Sequence, residues 1–236
     1  MKEGMRLCKE PLSGVGFDTW GVDCGMIDRE GNLLGMPGSY RDAALDEENM
    51  NDVLASLVPE EQDRDKAVKA GEKYAFEQTG IASLAYNTLY KLCYLNKAMP
   101  EQMAAADKLL FMPNLIEYLF SGVVHSEYSI ASTSQLLDMK EKKWASELIR
   151  KAGIDPKLLA PLDYAGKDLG PLRPEIAKEV GQENLHILSV SGHDTACAVA
   201  ASRTGKRRGI YFPVQRNMVS HGDFRQDHAD RGTGYP

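Results

Sequence analysis

The densest run of chemistry-bearing side chains is Ser189-Val190-Ser191-Gly192-His193-Asp194-Thr195-Ala196. The apolar stretch 185–191 reads as a buried strand that enters a glycine and then an alanine-rich helix over 196–201. His193, Asp194 and Thr195 therefore stand at the carboxyl end of a sheet, where α/β proteins bind ligands. Capping accounts for the same residues, because Asp and Thr oxygens accept first-turn N–H groups, an effect worth about 1 kcal/mol. A second run is Asp18-Thr19-Trp20-Gly21-Val22-Asp23, two carboxylates flanking a Trp-Gly step. Gly21 lets a ligand approach the backbone, and Trp20 offers a flat apolar face to a sugar ring. A strand bend with a core tryptophan explains that run equally well.

Other candidates are weaker. Tyr40-Arg41-Asp42 reads as a solvated loop, and Tyr86-Asn87-Thr88 as a helix N-cap. His125, His186, His221 and His228 have no metal-ligand spacing and read as surface or packing residues. Met99, Met103 and Met112 read as core filler, and Asp46-Glu47-Glu48 as a solvated helix start.

Alternating strands and helices must position these residues. A short amphipathic helix is expected over 2–10, a strand over 14–20, and a hairpin from 22–27 through the turn 28–32 back to Leu33-Leu34. Helical periodicity covers 61–78, with Val68, Tyr74 and Phe76 inward and Gly80 as a stop. Further helices are expected over 88–98, 114–120, 143–151 and 174–180, with a Pro-rich connection over 156–174. The pattern is that of an α/β domain.

Composition agrees with a soluble globular chain: 236 residues, 43% apolar and 26% charged. A chain of this size removes roughly 70% of its unfolded surface from water on folding. The four cysteines, Cys8, Cys24, Cys93 and Cys197, form no Cys-x-x-Cys pair and read as reduced thiols in a cytoplasm. No apolar run approaches the ~18 residues that span a bilayer, and the charged start has no leader pattern. A net charge of −6 argues against nucleic-acid affinity. The charge is uneven, however: residues 202–236 carry seven Lys or Arg against three Asp, while 1–201 carry 21 basic against 31 acidic residues.

The segments Gly-Val-Gly-Phe-Asp-Thr-Trp-Gly-Val-Asp at 14–23, Tyr40-Arg41-Asp42, Tyr86-Asn87-Thr88-Leu89-Tyr90, Ala-Ser-Thr-Ser-Gln-Leu-Leu-Asp at 131–138, and Ser191-Gly-His-Asp-Thr-Ala resemble the rhamnulokinase branch of the FGGY carbohydrate kinases. The resemblance implies an α/β, ribonuclease-H-like and actin-like fold, with residues 1–201 forming part of the N-terminal kinase domain. It implies transfer of the ATP γ-phosphoryl group to the C1 hydroxyl of L-rhamnulose, with ATP and Mg²⁺ as cofactors. Asp194 matches the family's catalytic base, His193 and Thr195 match sugar contacts, Gly21 matches the other sugar-binding strand, and Asp23 is its neighbour. No nucleotide-binding or metal-ligating residue is assigned, and no nucleic-acid or membrane partner is expected.

Two departures accompany the resemblance. The family's opening strand and hairpin have no counterpart before Met1, and after Ala201 the text diverges. Read one nucleotide later, codons permitted for Val-Gln-Arg-Asn-Met-Val-Ser-His-Gly at 214–222 can spell Ser-Ser-Gly-Thr-Trp-Ser-Leu-Met-Gly, the text the resemblance calls for, so a frameshift near Ser202 is the expected origin of the basic tail, for which poor order is predicted. Little activity is then expected of the chain alone. The alternative is a non-catalytic sugar-binding fragment or remnant of a sugar kinase.

Overall fold

The computed structural model describes residues 12–201, and the expected helix over 2–10 and tail over 202–236 lie outside the described residues. The chain divides into two compact units, Met1–Asp194 and Thr195–Pro236.

Among the described residues the first unit begins with β1 (Gly14–Val15), followed by β2 (Cys24–Ile27), whose four residues are all buried. The expected turn follows, closed by the Asp28 carboxylate accepting from Asn32 N at 2.7 Å. The expected return strand shrinks to a bridge between Ile27 and Leu33, because Gly35 at φ +71° turns the chain away. The full partner of β2 is instead β3 (Lys108–Phe111), antiparallel, with Cys24 opposite Phe111 and Ile27 opposite Lys108.

Helix α1 (Glu47–Ser56) starts where the acidic stretch predicts, with Asp46 accepting from Asn49 N. Helix α2 (Arg64–Thr79) is capped by Asp63 and stopped by Gly80 at φ +71°. Val68 and Tyr74 pack against the main core as expected, but the buried positions include Ala67, Gly71 and Ala75, and Phe76 is 53% exposed. Close packing on α1 is the reason, since a Cβ at Gly71 would stand 1.9 Å from the Leu54 carbonyl oxygen. Only the smallest residues fit that crossing. Helix α3 (Thr88–Ala98) matches its predicted bounds and buries Leu89, Tyr90 and Leu92 completely.

After α4 (Pro100–Ala105) and β3 comes α5 (Met112–Ser121), with proline tolerated in its first turn. Then follow β4 (Ser126–Glu127), the one-turn helix α6 (Tyr128–Ala131), the hairpin β5 (Leu137–Asp138) and β6 (Lys143–Trp144), and α7 (Ser146–Lys151). The strand β6 takes the first residues of the expected 143–151 helix. The Pro-rich connection contains β7 (Leu162–Asp163), parallel to β4, and β8 (Lys167–Pro171). Helix α8 (Pro174–Val180) and strand β9 (His186–Ser189) lead to α9 (Asp194–Ala201), which begins at the last residue of the first unit.

Strands β1, β9 and β8 form one sheet in that order, β1 parallel to β9. The main core gathers fully buried side chains including Leu57, Leu92, Phe111, Ile130, Leu136 and Leu148, each apolar burial contributing about 1.5–3 kcal/mol. A smaller core of Leu169, Leu185 and Ile187 lies against the β9 sheet, with Phe17 and Phe120 stacked at 5.3 Å. Cys24 and Cys93 are buried thiols outside any disulfide, and burial pushes the Cys24 thiol up to about 11. Among the described residues no helix is long and apolar enough to cross a membrane.

Candidate functional site

Because β1 and β9 run parallel, their carboxyl ends emerge side by side. Beyond the strands the pairing resumes as a parallel bridge between Thr19 and His193: Thr19 N donates to Gly192 O and Asp194 N donates to Thr19 O, each at 2.9 Å. The two chemistry-bearing runs, about 170 residues apart in the chain, thus meet at one sheet edge.

On the first run, Asp23 N donates to Gly21 O at 2.9 Å across Val22, whose φ is +65°. This is a γ-turn in its strained, positive-φ form, and for a β-branched residue the conformation is an outlier costing on the order of 1–3 kcal/mol. Two hydroxyls hold it in place. Val22 N donates to Thr133 Oγ1 at 3.0 Å, and Thr88 Oγ1 donates to Val22 O at 2.8 Å. Gly21 lies against the same threonine, where a Cβ would be 3.0 Å from Thr133 Cγ2.

Trp20 is not a core residue: it is 46% exposed, and its Nε1 donates to Asp23 Oδ2 at 2.7 Å. Asp23, expected near the sugar, is only 4% exposed. Its other oxygen is paired with Lys91 Nζ, which also donates to Gly38 O at 2.9 Å. Both Asp23 oxygens are therefore engaged by protein donors, and the carboxylate anchors the Trp20 indole from below.

On the second run, His193 Nε2 lies 3.4 Å from Asp194 Oδ1, with side chains 26% and 35% exposed. Burial pulls the His193 imidazole below its ordinary 6.5, outweighing the opposing pull of the Asp194 and Glu127 charges. A neutral ring can donate through one nitrogen and accept through the other. Asp194 is the first residue of α9 and Thr195 the second.

Other sequence readings resolve as follows. Asn87 precedes α3 but makes no side-chain cap bond; its amide donates instead to Thr133 O at 2.9 Å, so Asn87-Thr88 braces the γ-turn segment. His125 is a packing residue, buried 2.8 Å from Glu117 Oε2, and His186 pairs with Asp168 at the surface. His221 and His228 lie outside the described residues. Sequence reasoning passed over Lys91, Glu127 and Thr133. Of these, Lys91 carried a signal: a lone cation flanked in sequence by Leu89, Tyr90, Leu92 and Cys93, in a turn of α3 that is buried on every side. Among the described residues no group of three or more His, Cys, Asp or Glu side chains could hold a metal ion.

Residues 60–201 match the N-terminal domain of the FGGY family of carbohydrate kinases. The chain is 32% identical over 203 residues to a rhamnulokinase of Bacteroides thetaiotaomicron, covering 86% of this chain and 39% of that protein. It is 31% identical over 198 residues to a rhamnulokinase of Pectobacterium atrosepticum, covering 84% and 36%. The chain thus spans about two fifths of the length of the curated relatives it matches. Among solved structures it is similar to a xylulose kinase from Lactobacillus acidophilus, with TM-score 0.66, 16% identity, and 81% and 36% of the two chains covered. A carbohydrate kinase from Novosphingobium aromaticivorans is similar at TM-score 0.65 and 22% identity, covering 85% and 40%. These likenesses show the fold, α/β of the ribonuclease-H-like, actin-like class. With its family match over 60–201, the chain belongs to the FGGY family of carbohydrate kinases.

Proposed function

We propose that this chain supplies the sugar-facing part of an ATP-dependent kinase that phosphorylates the C1 hydroxyl of L-rhamnulose. The observation that carries the reading is the Thr19–His193 bridge, which joins the Gly21 turn to the His193-Asp194 step at the carboxyl ends of parallel strands. That is where α/β folds bind small ligands. The curated relatives named rhamnulokinase support the choice of sugar.

In this reading the sugar lies along the Gly21 backbone, whose side-chain position is taken up by Thr133, with the exposed Trp20 face beside the sugar's apolar edge. The neutral His193 ring hydrogen-bonds a hydroxyl, and Thr195 is assigned to a second sugar contact by sequence match. The C1 oxygen forms a bond to the γ-phosphorus, the bond from that phosphorus to the ADP oxygen breaks, and the C1 hydroxyl proton passes to the Asp194 carboxylate. ATP would supply the phosphoryl group, and Mg²⁺ would neutralise its charge. The transition state is loose, so orientation of the C1 hydroxyl and removal of its proton are what these side chains contribute.

Saturation-transfer NMR on the purified chain tests the reading. L-Rhamnulose should receive saturation most strongly at its C1 hydroxymethyl protons, and Asp194→Asn should keep that contact while His193→Ala weakens it. Absence of transfer to the sugar from the wild-type chain refutes the assignment.

A further inference from the structure

We propose that the segment 127–133 is the positioning element of this site: Glu127 and Ser129 fix the strand exit that carries His193 and Asp194, and Thr133 fixes the Gly21–Val22 turn. The inference rests on the sugar-kinase reading for the identity of the ligand and on geometry alone for the positioning.

Glu127 is 2% exposed. Its Oε1 accepts from Ser129 N at 2.9 Å. Its Oε2 accepts from Ser129 Oγ, from Ile130 N at 3.1 Å and from Gly192 N at 2.9 Å. Four donors converge on one carboxylate, an arrangement for which an acceptor-only group is suited. The Ser129 hydroxyl, donating its hydrogen to the bond with Glu127, accepts from Ser191 Oγ at 2.9 Å and from His193 N at 3.4 Å. Three consecutive residues before Asp194 are thereby held by two side chains. Gly192 completes the fit, since a Cβ there would stand 2.8 Å from Pro113 Cγ and 3.3 Å from Glu127 Oε2.

At the other end of the same segment, Thr133 Oγ1 donates to Ile130 O at 2.7 Å and accepts from Val22 N. The one-turn helix α6 links the two grips. Glu127 N is itself anchored by Asn114 Oδ1 at 3.2 Å, so the clasp is braced from α5. The segment sets the spacing between the turn at Gly21 and the pair His193-Asp194, and it does so without placing a side chain of its own on the substrate.

The test compares the full chain with Glu127→Gln and Thr133→Val, reading three quantities: melting temperature, L-rhamnulose affinity by calorimetry, and the His193 titration midpoint by NMR. A glutamine offers one acceptor oxygen in place of two, and a valine leaves Val22 N without a partner. Each should weaken L-rhamnulose binding by about tenfold or more. Glu127→Gln should also move the His193 midpoint to lower pH and speed exchange of the Gly192 amide, whereas Thr133→Val leaves that midpoint in place. Affinities within twofold of wild type in both variants overturn the proposal. If the wild-type chain does not bind L-rhamnulose, the sugar reading fails, and the His193 midpoint and Gly192 exchange still decide the positioning claim; values equal to wild type in Glu127→Gln refute it. Should that variant not fold, Ser129→Ala removes only the shared hydroxyl: unchanged His193 amide exchange would then refute the proposal, and faster exchange would uphold it.

Discussion

Replacing Lys91 by methionine should be among the most damaging single changes in this chain. The Lys91 and Asp23 side chains are only 4% and 5% exposed. Methionine keeps the unbranched stem and deletes the ammonium, leaving the Asp23 carboxylate with Trp20 Nε1 as its remaining side-chain donor. Gly38 O also loses a donor, but Gly38 is exposed and water replaces it. Breaking a buried pair by removing one partner costs about 3–5 kcal/mol, a large part of a typical total of about 5–15 kcal/mol. At roughly 2–4 °C per kcal/mol for a chain of this size, the melting temperature should fall by about 6–20 °C. The double change Asp23→Asn with Lys91→Met removes the orphaned charge as well, so calorimetric melts should show much of the loss recovered and a strong coupling between the positions. A single variant melting within 2 °C of wild type, or a double variant as unstable as the single, would show that the pair is not the anchor described.

Gly71→Ala should destabilise the chain by at least about 1–3 kcal/mol in denaturant melts, because the new methyl would meet the Leu54 carbonyl 1.9 Å away; a neutral effect would contradict the close crossing of α1 and α2. In a full-length protein that carries this segment with its family tail restored, Asp194→Asn should leave the melting temperature unchanged while turnover with Mg-ATP and L-rhamnulose falls by roughly 10²–10⁴, and undiminished turnover removes Asp194 from the role of base. Since His193 is held below 6.5 in the folded chain, the unfolded chain binds more protons just below that pH. Stability should therefore be full above about pH 6.5 and decline as pH falls beneath it. Melts from pH 7.5 to 5.5 should show this decline reduced in His193→Gln, and identical pH profiles would argue against it.

Local signals reached the elements whose ends are chemically marked. Helix α3 starts at Thr88 as expected, and α8 runs from Pro174 to a left-handed Gly181. On α2 hydrophobicity reached Val68 and Tyr74, which pack on the core, but misplaced Phe76 and missed Ala67, Gly71 and Ala75, because the most buried positions are chosen by backbone approach. The return strand after β2 stops at one bridge because Gly35 turns the chain away, and the full partner on the other edge, β3, comes some 80 residues later. In the site, residue types alone singled out Gly21, His193 and Asp194. Their meeting across the Thr19 bridge is a long-range event that no local pattern encodes. Glu127 and Thr133 were passed over for the same reason, their partners Gly192 and Val22 being 65 and 111 residues away.

The central claim, that the bridged strand ends form a sugar site, is tested most directly by titrating L-rhamnulose into the purified wild-type chain and into His193→Ala in parallel. The account predicts saturable binding to the wild-type chain, weakened by at least about tenfold in a variant that melts like wild type. Equal affinity in the two proteins, or no binding to the wild-type chain, would contradict it.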